Sequence, residues 1–91
     1  MYGLTDDELQ RIREALITCG VTRCILFGSR AKGSNKPGSD IDIAIDGNET
    51  RVSYCLNEEL NVPYYFDVIN IHKIKNKNLL DHIQRVGVEL L

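Results

Sequence analysis

Phe27-Gly28-Ser29-Arg30-Ala31-Lys32-Gly33-Ser34-Asn35-Lys36-Pro37-Gly38-Ser39-Asp40-Ile41-Asp42-Ile43-Ala44-Ile45 is the stretch that decides the fold. It joins a Gly-Ser pair, a ten-residue link (30–39) and an Asp-Ile-Asp triplet. The run 21–27 reads as a buried strand that Gly28 ends. Gly28 carries no side chain, so a phosphate can come close to the backbone there. Residues 29–32 then start a short helix whose free N–H groups favour an anion. The next strand begins at Asp40 and alternates: Asp40 and Asp42 on one face, Ile41, Ile43 and Ile45 on the other. Carboxylates two apart on a strand have Cα atoms roughly 6.5 Å apart, close enough to share one hard cation or bridge two. A phosphate cradle therefore precedes a metal seat.

Working outward, the two strands must be antiparallel for the end of the first to meet the start of the second. The link, with Gly33, Pro37 and Gly38, reads as a loop. Residues 50–60 place Val52, Cys55, Leu56 and Leu60 at helical spacing, a crossover that lets a third strand run parallel to the second. That strand, 62–71, puts Tyr65, Asp67 and Ile69 on one face and Tyr64, Phe66 and Val68 on the other. Asp67 in so apolar a strand either faces solvent, as outward polar residues often do, or meets a cation beside Asp40 and Asp42.

Upstream, Thr5 and Glu8 form a capping box, with Leu4 and Leu9 at the staple positions. Leu9, Ile12, Leu16 and Ile17 make an apolar stripe that Gly20 stops. Downstream, 76–90 reads as a helix carrying Leu79, Leu80, Ile83, Val86 and Leu90 on one side. The expected architecture is α/β: a small mixed sheet of three strands with helices on one face, leaving the carboxylate face, including Ala44, Tyr65 and Ile69, uncovered.

The pattern resembles the nucleotidyltransferase superfamily of DNA polymerase beta and kanamycin nucleotidyltransferase, most of all its minimal nucleotidyltransferase (MNT) domains. The matching residues are Phe27-Gly28-Ser29, Asp40-Ile41-Asp42 and Asp67 within Tyr65-Phe66-Asp67-Val68-Ile69, with Arg30, Ala31 and Gly33 after the Gly-Ser pair. The resemblance spans about residues 4–90 and implies one polymerase beta-like domain over 1–91. It implies Mg²⁺ held by Asp40, Asp42 and Asp67, with Asp67 also acting as base or orienter for an acceptor hydroxyl. Gly28 and Ser29 would hold the phosphates of ATP. Arg30 and Lys32 are either phosphate neighbours or solvated loop charges, and Ser39 reads as a turn residue. MNT proteins of this size commonly accompany a helical HEPN toxin, and some transfer AMP to a tyrosine of that partner. Two rivals stand beside this reading: a nucleotide- or partner-binding subunit without turnover, and a transferase acting on a small-molecule hydroxyl. Larger superfamily members carry a second domain that helps hold base and acceptor. Without one, the site is open or a partner completes it.

Composition agrees with a small globular domain: 91 residues, 43% apolar and 26% charged, net charge −2. No basic excess points to nucleic acid, and no apolar run nears the length of a membrane span. Three cysteines without a Cys-x-x-Cys pair read as small buried hydrophobes in a reducing cytoplasm. Neither His72 nor His82 has metal or nucleophile spacing around it.

Overall fold

Strand β1 (Cys24–Phe27) and strand β2 (Ile41–Ile45) are antiparallel neighbours, with Phe27 opposite Asp42 and Ile25 opposite Ala44. Strand β3 (Phe66–Asn70) lies parallel to β2, as the crossover argument requires, and pairs Asp42 with Asp67. The computed structural model describes residues 1–91 and adds a fourth strand, β4 (Val88–Glu89), so the order is β3-β2-β1-β4.

That fourth strand corrects the long final helix. Helix α4 spans only Lys77–Val86. At Gly87 the backbone turns extended, and its N–H closes the helix on the Ile83 carbonyl at 2.8 Å. A Cβ there would strike both that carbonyl and Ile25, so only glycine lets the chain swing onto β1. Val88 and Glu89 then pair antiparallel with Leu26 and Ile25. Leu90 is buried because it follows a strand: its N–H donates to Cys24 O at 2.8 Å, and Arg13 on α1 donates to its carbonyl at 3.0 Å.

Helix α1 (Asp6–Thr18) has the predicted capping box, with the Glu8 N–H donating to Thr5 Oγ1 at 3.1 Å and the Thr5 N–H to Glu8 Oε1 at 2.9 Å. Gly20 stops it in the left-handed region, φ 80°. The buried stripe is Leu9, Ile12 and Leu16; Ile17, expected within it, lies a further 100° round the helix and is 62% exposed. The crossover is helix α3 (Glu49–Tyr54) running into a wider π turn over Cys55–Glu59. From that turn the Asn57 amide pairs with the outer edge of β3, accepting from Phe66 N at 2.8 Å and donating to Phe66 O at 3.0 Å. The strand expected from residue 62 thus begins at Phe66.

Cys24, Leu26, Ile41, Ile43 and Ile45 face α1 and the α3 segment, meeting Leu9, Ile12, Leu16, Val52 and Leu56 in the larger core. The opposite face is not bare, which corrects the uncovered-face expectation. Ile83 of α4 packs on Ile25 and Ala44, ringed by Phe27, Ile69, Ile71 and Ile74. The small Ala44 side chain lets the helix approach, and α4 covers the half of this face away from Asp42. No helix is long and apolar enough to cross a membrane. All three cysteines are free: Cys24 is buried and its thiol pushed up to about 12, mainly by burial, whereas Cys19 and Cys55 are half-buried.

Candidate active site

The uncovered half of that face belongs to the carboxylates. Asp42 and Asp67 are register partners on adjacent parallel strands, whose separation is about 4.8 Å. Asp40 stands two residues before Asp42, at the start of β2. Gly28 follows directly after Phe27, the residue opposite Asp42. Its φ of 75° is left-handed, and a Cβ there would lie 3.1 Å from Asp42 Cγ and closer still to Oδ2. The glycine therefore has two reasons: the backbone demands it, and the carboxylate occupies the space a side chain would need.

Helix α2 (Gly28–Lys32) starts at this point with no side-chain cap on its first N–H groups. Those donors and the acids of β2 and β3 come together because β1 ends where β2 begins. The sequence-predicted residues Gly28, Ser29, Asp40, Asp42 and Asp67 accordingly share one end of the sheet. Lys32 is exposed on the last turn of α2.

The Asp42 carboxyl is pushed above the ordinary carboxylate range, first by burial and then by the negative charges of Asp67 and Asp40. All four ion pairs of the molecule lie elsewhere, so no side-chain cation answers this cluster. The three acids approach without closing into a ready-made cage: no group of three Asp, Glu, His or Cys side chains stands at metal-ligand spacing. The donor set still fits a hard divalent cation: all oxygen, multiply negative and without an internal counter-charge. None of the recesses in the surface is lined by Asp40, Asp42, Asp67, Gly28 or Ser29. The site is an open ledge.

Arg30 departs from both sequence readings, since it is neither a solvated loop charge nor free to meet a phosphate at the ledge. It is 2% exposed and the sole charged residue in the interior. Nε and Nη2 both donate to the Ser39 carbonyl, at 3.1 and 2.7 Å, and Nη1 donates to the Tyr2 carbonyl at 3.0 Å. The guanidinium carbon lies 4.6 Å from the centroid of the Tyr64 ring, a desolvated cation–π contact of about 2 kcal/mol. A buried charge demands such partners, and here backbone and ring supply them instead of a carboxylate. No spacing rule could reveal this, because the carbonyls belong to residues nine and twenty-eight positions away. Ser39 is the turn residue expected of it: its hydroxyl donates to Lys36 O at 2.7 Å and accepts from Lys36 N at 2.9 Å. His72 lies on the turn after β3 and His82 on α4.

A solved structure described as a toxin–antitoxin with AMP-PNP contains a chain of the same fold. It superposes with a TM-score of 0.73 at 21% identity, covering 91% of this chain and 72% of that one. No curated protein matches. At the level of sequence families, residues 10–91 match "Polymerase beta, Nucleotidyltransferase". That match takes in the Gly-Ser pair, the Asp-Ile-Asp triplet and the third carboxylate, and the chain belongs to the polymerase beta nucleotidyltransferase family.

Proposed function

We propose that this chain is a Mg²⁺-dependent nucleotidyltransferase that moves AMP from ATP to a tyrosine hydroxyl of a helical HEPN-type toxin, and so acts as its antitoxin. The observation that carries the reading is the meeting of Asp42 and Asp67 in register beside Gly28, unpaired and at an open edge. Family membership supports the transfer chemistry, and the AMP-PNP-containing toxin–antitoxin of like fold supports the setting.

Each residue has a task in that reaction. Gly28 gives a triphosphate room against the backbone, and the uncapped amides with Ser29 hold its β- and γ-oxygens. Asp40 and Asp42 would hold Mg²⁺, joined by Asp67 for a second ion. The chemistry supplied by bound Mg²⁺ would be neutralisation of triphosphate oxygens and stabilisation of the groups exchanged in the displacement. Asp67 accepts or orients the proton of the acceptor hydroxyl. The hydroxyl oxygen bonds to the α-phosphorus as pyrophosphate departs. An open ledge suits an acceptor presented by another protein, because no wall of this chain excludes it.

The open ledge also favours a second reading: a cytoplasmic subunit that binds nucleotide and partner without turnover, since the acids do not close into ligand geometry unaided. Incubating the chain with ATP, Mg²⁺ and a candidate HEPN-type partner, followed by intact-mass analysis, separates the two. A gain of one AMP on the partner, absent without Mg²⁺, is the result expected. A tight complex with no gain in mass contradicts transfer and establishes the binding subunit.

A further inference from the structure

We infer that Arg30 is a positioning residue that sets the separation of the site-bearing segments from inside the fold; the inference rests on the carboxylate ledge being a metal seat. Three segments carry the site: β1 into α2 with Gly28 and Ser29, the start of β2 with Asp40 and Asp42, and β3 with Asp67. Arg30 belongs to the first, one residue beyond Ser29. Two of its nitrogens hold the carbonyl of Ser39, the residue bonded to Asp40. Its charged plane lies over Tyr64, three residues before Asp67. One buried guanidinium thus joins the first two segments and contacts the chain two residues before the third begins.

The geometry explains why the cation is arginine. A planar fork can place two N–H groups on one carbonyl, a third on another, and still present a flat face to an aromatic ring. Lysine keeps the charge but offers one compact ammonium that cannot span Ser39 O and Tyr2 O while lying flat on Tyr64. The contacts around it are tightly fitted: a Cβ on Gly3 would approach Arg30 Nη1 to 2.8 Å, so the N-terminal turn is shaped around the guanidinium. Ser39 in turn is fixed by its own hydroxyl bonds to Lys36, so a shift of its carbonyl moves the turn that delivers Asp40. The carboxylates themselves have no cation partner and no preformed ligand geometry, so their spacing depends on what holds the strands' starts. Partners that orient metal ligands from behind commonly govern affinity by 10- to 100-fold.

The test compares wild type with Arg30→Lys, Tyr64→Phe and Val52→Ala, reading Mn²⁺ affinity by paramagnetic resonance and the amide shifts of Asp40, Ile41 and Asp42 without metal. Arg30→Lys should bind Mn²⁺ at least about tenfold more weakly and move those amides. Tyr64→Phe keeps the ring and loses only the hydroxyl bond to Glu8, so both readings should stay at wild type. Val52→Ala lowers the melting temperature through the larger core without touching the guanidinium's hydrogen bonds and should leave Mn²⁺ affinity untouched, which separates positioning from general loosening. If Arg30→Lys fails to fold, Tyr64→Leu takes its place: it removes the ring together with the hydroxyl, whose loss alone Tyr64→Phe measures, and should weaken Mn²⁺ several-fold. Unmoved amides, or wild-type Mn²⁺ affinity in the substituted protein, overturn the inference. Absence of Mn²⁺ binding by wild type instead sinks the metal reading, whatever the amides do.

Discussion

Asp42 and Asp46 lie four residues apart at opposite ends of β2, and the protein treats them in opposite ways. Asp46 accepts the backbone N–H groups of Thr22 and Arg23, at 3.2 and 3.1 Å, and the Thr22 hydroxyl. Its carboxyl sits below the ordinary range, chiefly because of the Thr22 hydroxyl. Asp42 has burial and two like charges, and its carboxyl is pushed up. Between them Ala44 is sealed under Ile83. One carboxylate is satisfied by its own chain and ties β2 to the turn before β1. The other has no partner within the chain. An acid's environment, more than its type, separates structure from function here.

Substitution at each end should therefore fail in different ways. Asp42→Asn should cut the proposed AMP transfer at least about 100-fold, since it removes a charge proposed to hold the metal. Asp46→Asn should leave transfer within a few-fold of wild type, and parallel rate measurements check both. Comparable losses in the two variants would erase the distinction.

Gly28→Ala comes next in size. Its left-handed φ costs about 1–2 kcal/mol for a residue with a Cβ, and the new methyl must also displace the Asp42 carboxylate. Chemical denaturation reads the first effect, and titration with a non-hydrolysable triphosphate reads the second, expected as weakened binding. Unchanged affinity would place the phosphate elsewhere.

Stability sharpens the contrast further. Asp46→Ala, which hands two backbone N–H groups and a hydroxyl at the surface over to water, should cost about 0.5–1.5 kcal/mol at neutral pH. Because the folded protein holds Asp46 below its ordinary value of 3.8, that contribution is present above this value and lost as pH falls through the depressed one. Asp42 has the reverse sign. Its folded value is raised above 3.8, so it favours the fold only at acid pH and opposes it once pH rises through the raised value. Asp42→Asn should thus melt slightly above wild type at neutral pH, with the gain vanishing below about pH 3.8. Melting curves across that window check both slopes, and a neutral-pH loss in Asp42→Asn would contradict the unpaired state.

The same two ends show what could be read from the sequence. The ledge was legible because its parts are short-range patterns: a glycine closing an apolar run, and alternation that sets Asp40 and Asp42 opposite Ile41 and Ile43. The antiparallel and parallel pairings followed from the need to bring those parts together. Periodicity misled at the C-terminus, where Leu90 falls in step with α4 but is buried beside β1 after Gly87 breaks the helix. Periodicity alone extends α4 to residue 90 and does not choose its face of the sheet, so its cover over Ala44 is not legible. Arg30 was illegible for a different reason: its partners are carbonyls, which every residue has, and only the fold chooses which ones.

The central claim is that the unpaired end of β2 binds metal and nucleotide. Calorimetric titration of ATP into wild type, Asp42→Asn and Asp46→Asn, each with and without Mg²⁺, tests it most directly. Mg²⁺-dependent binding is expected in wild type and in Asp46→Asn, and its loss in Asp42→Asn with the fold intact. Wild-type binding by Asp42→Asn, or binding by wild type that ignores Mg²⁺, would contradict it.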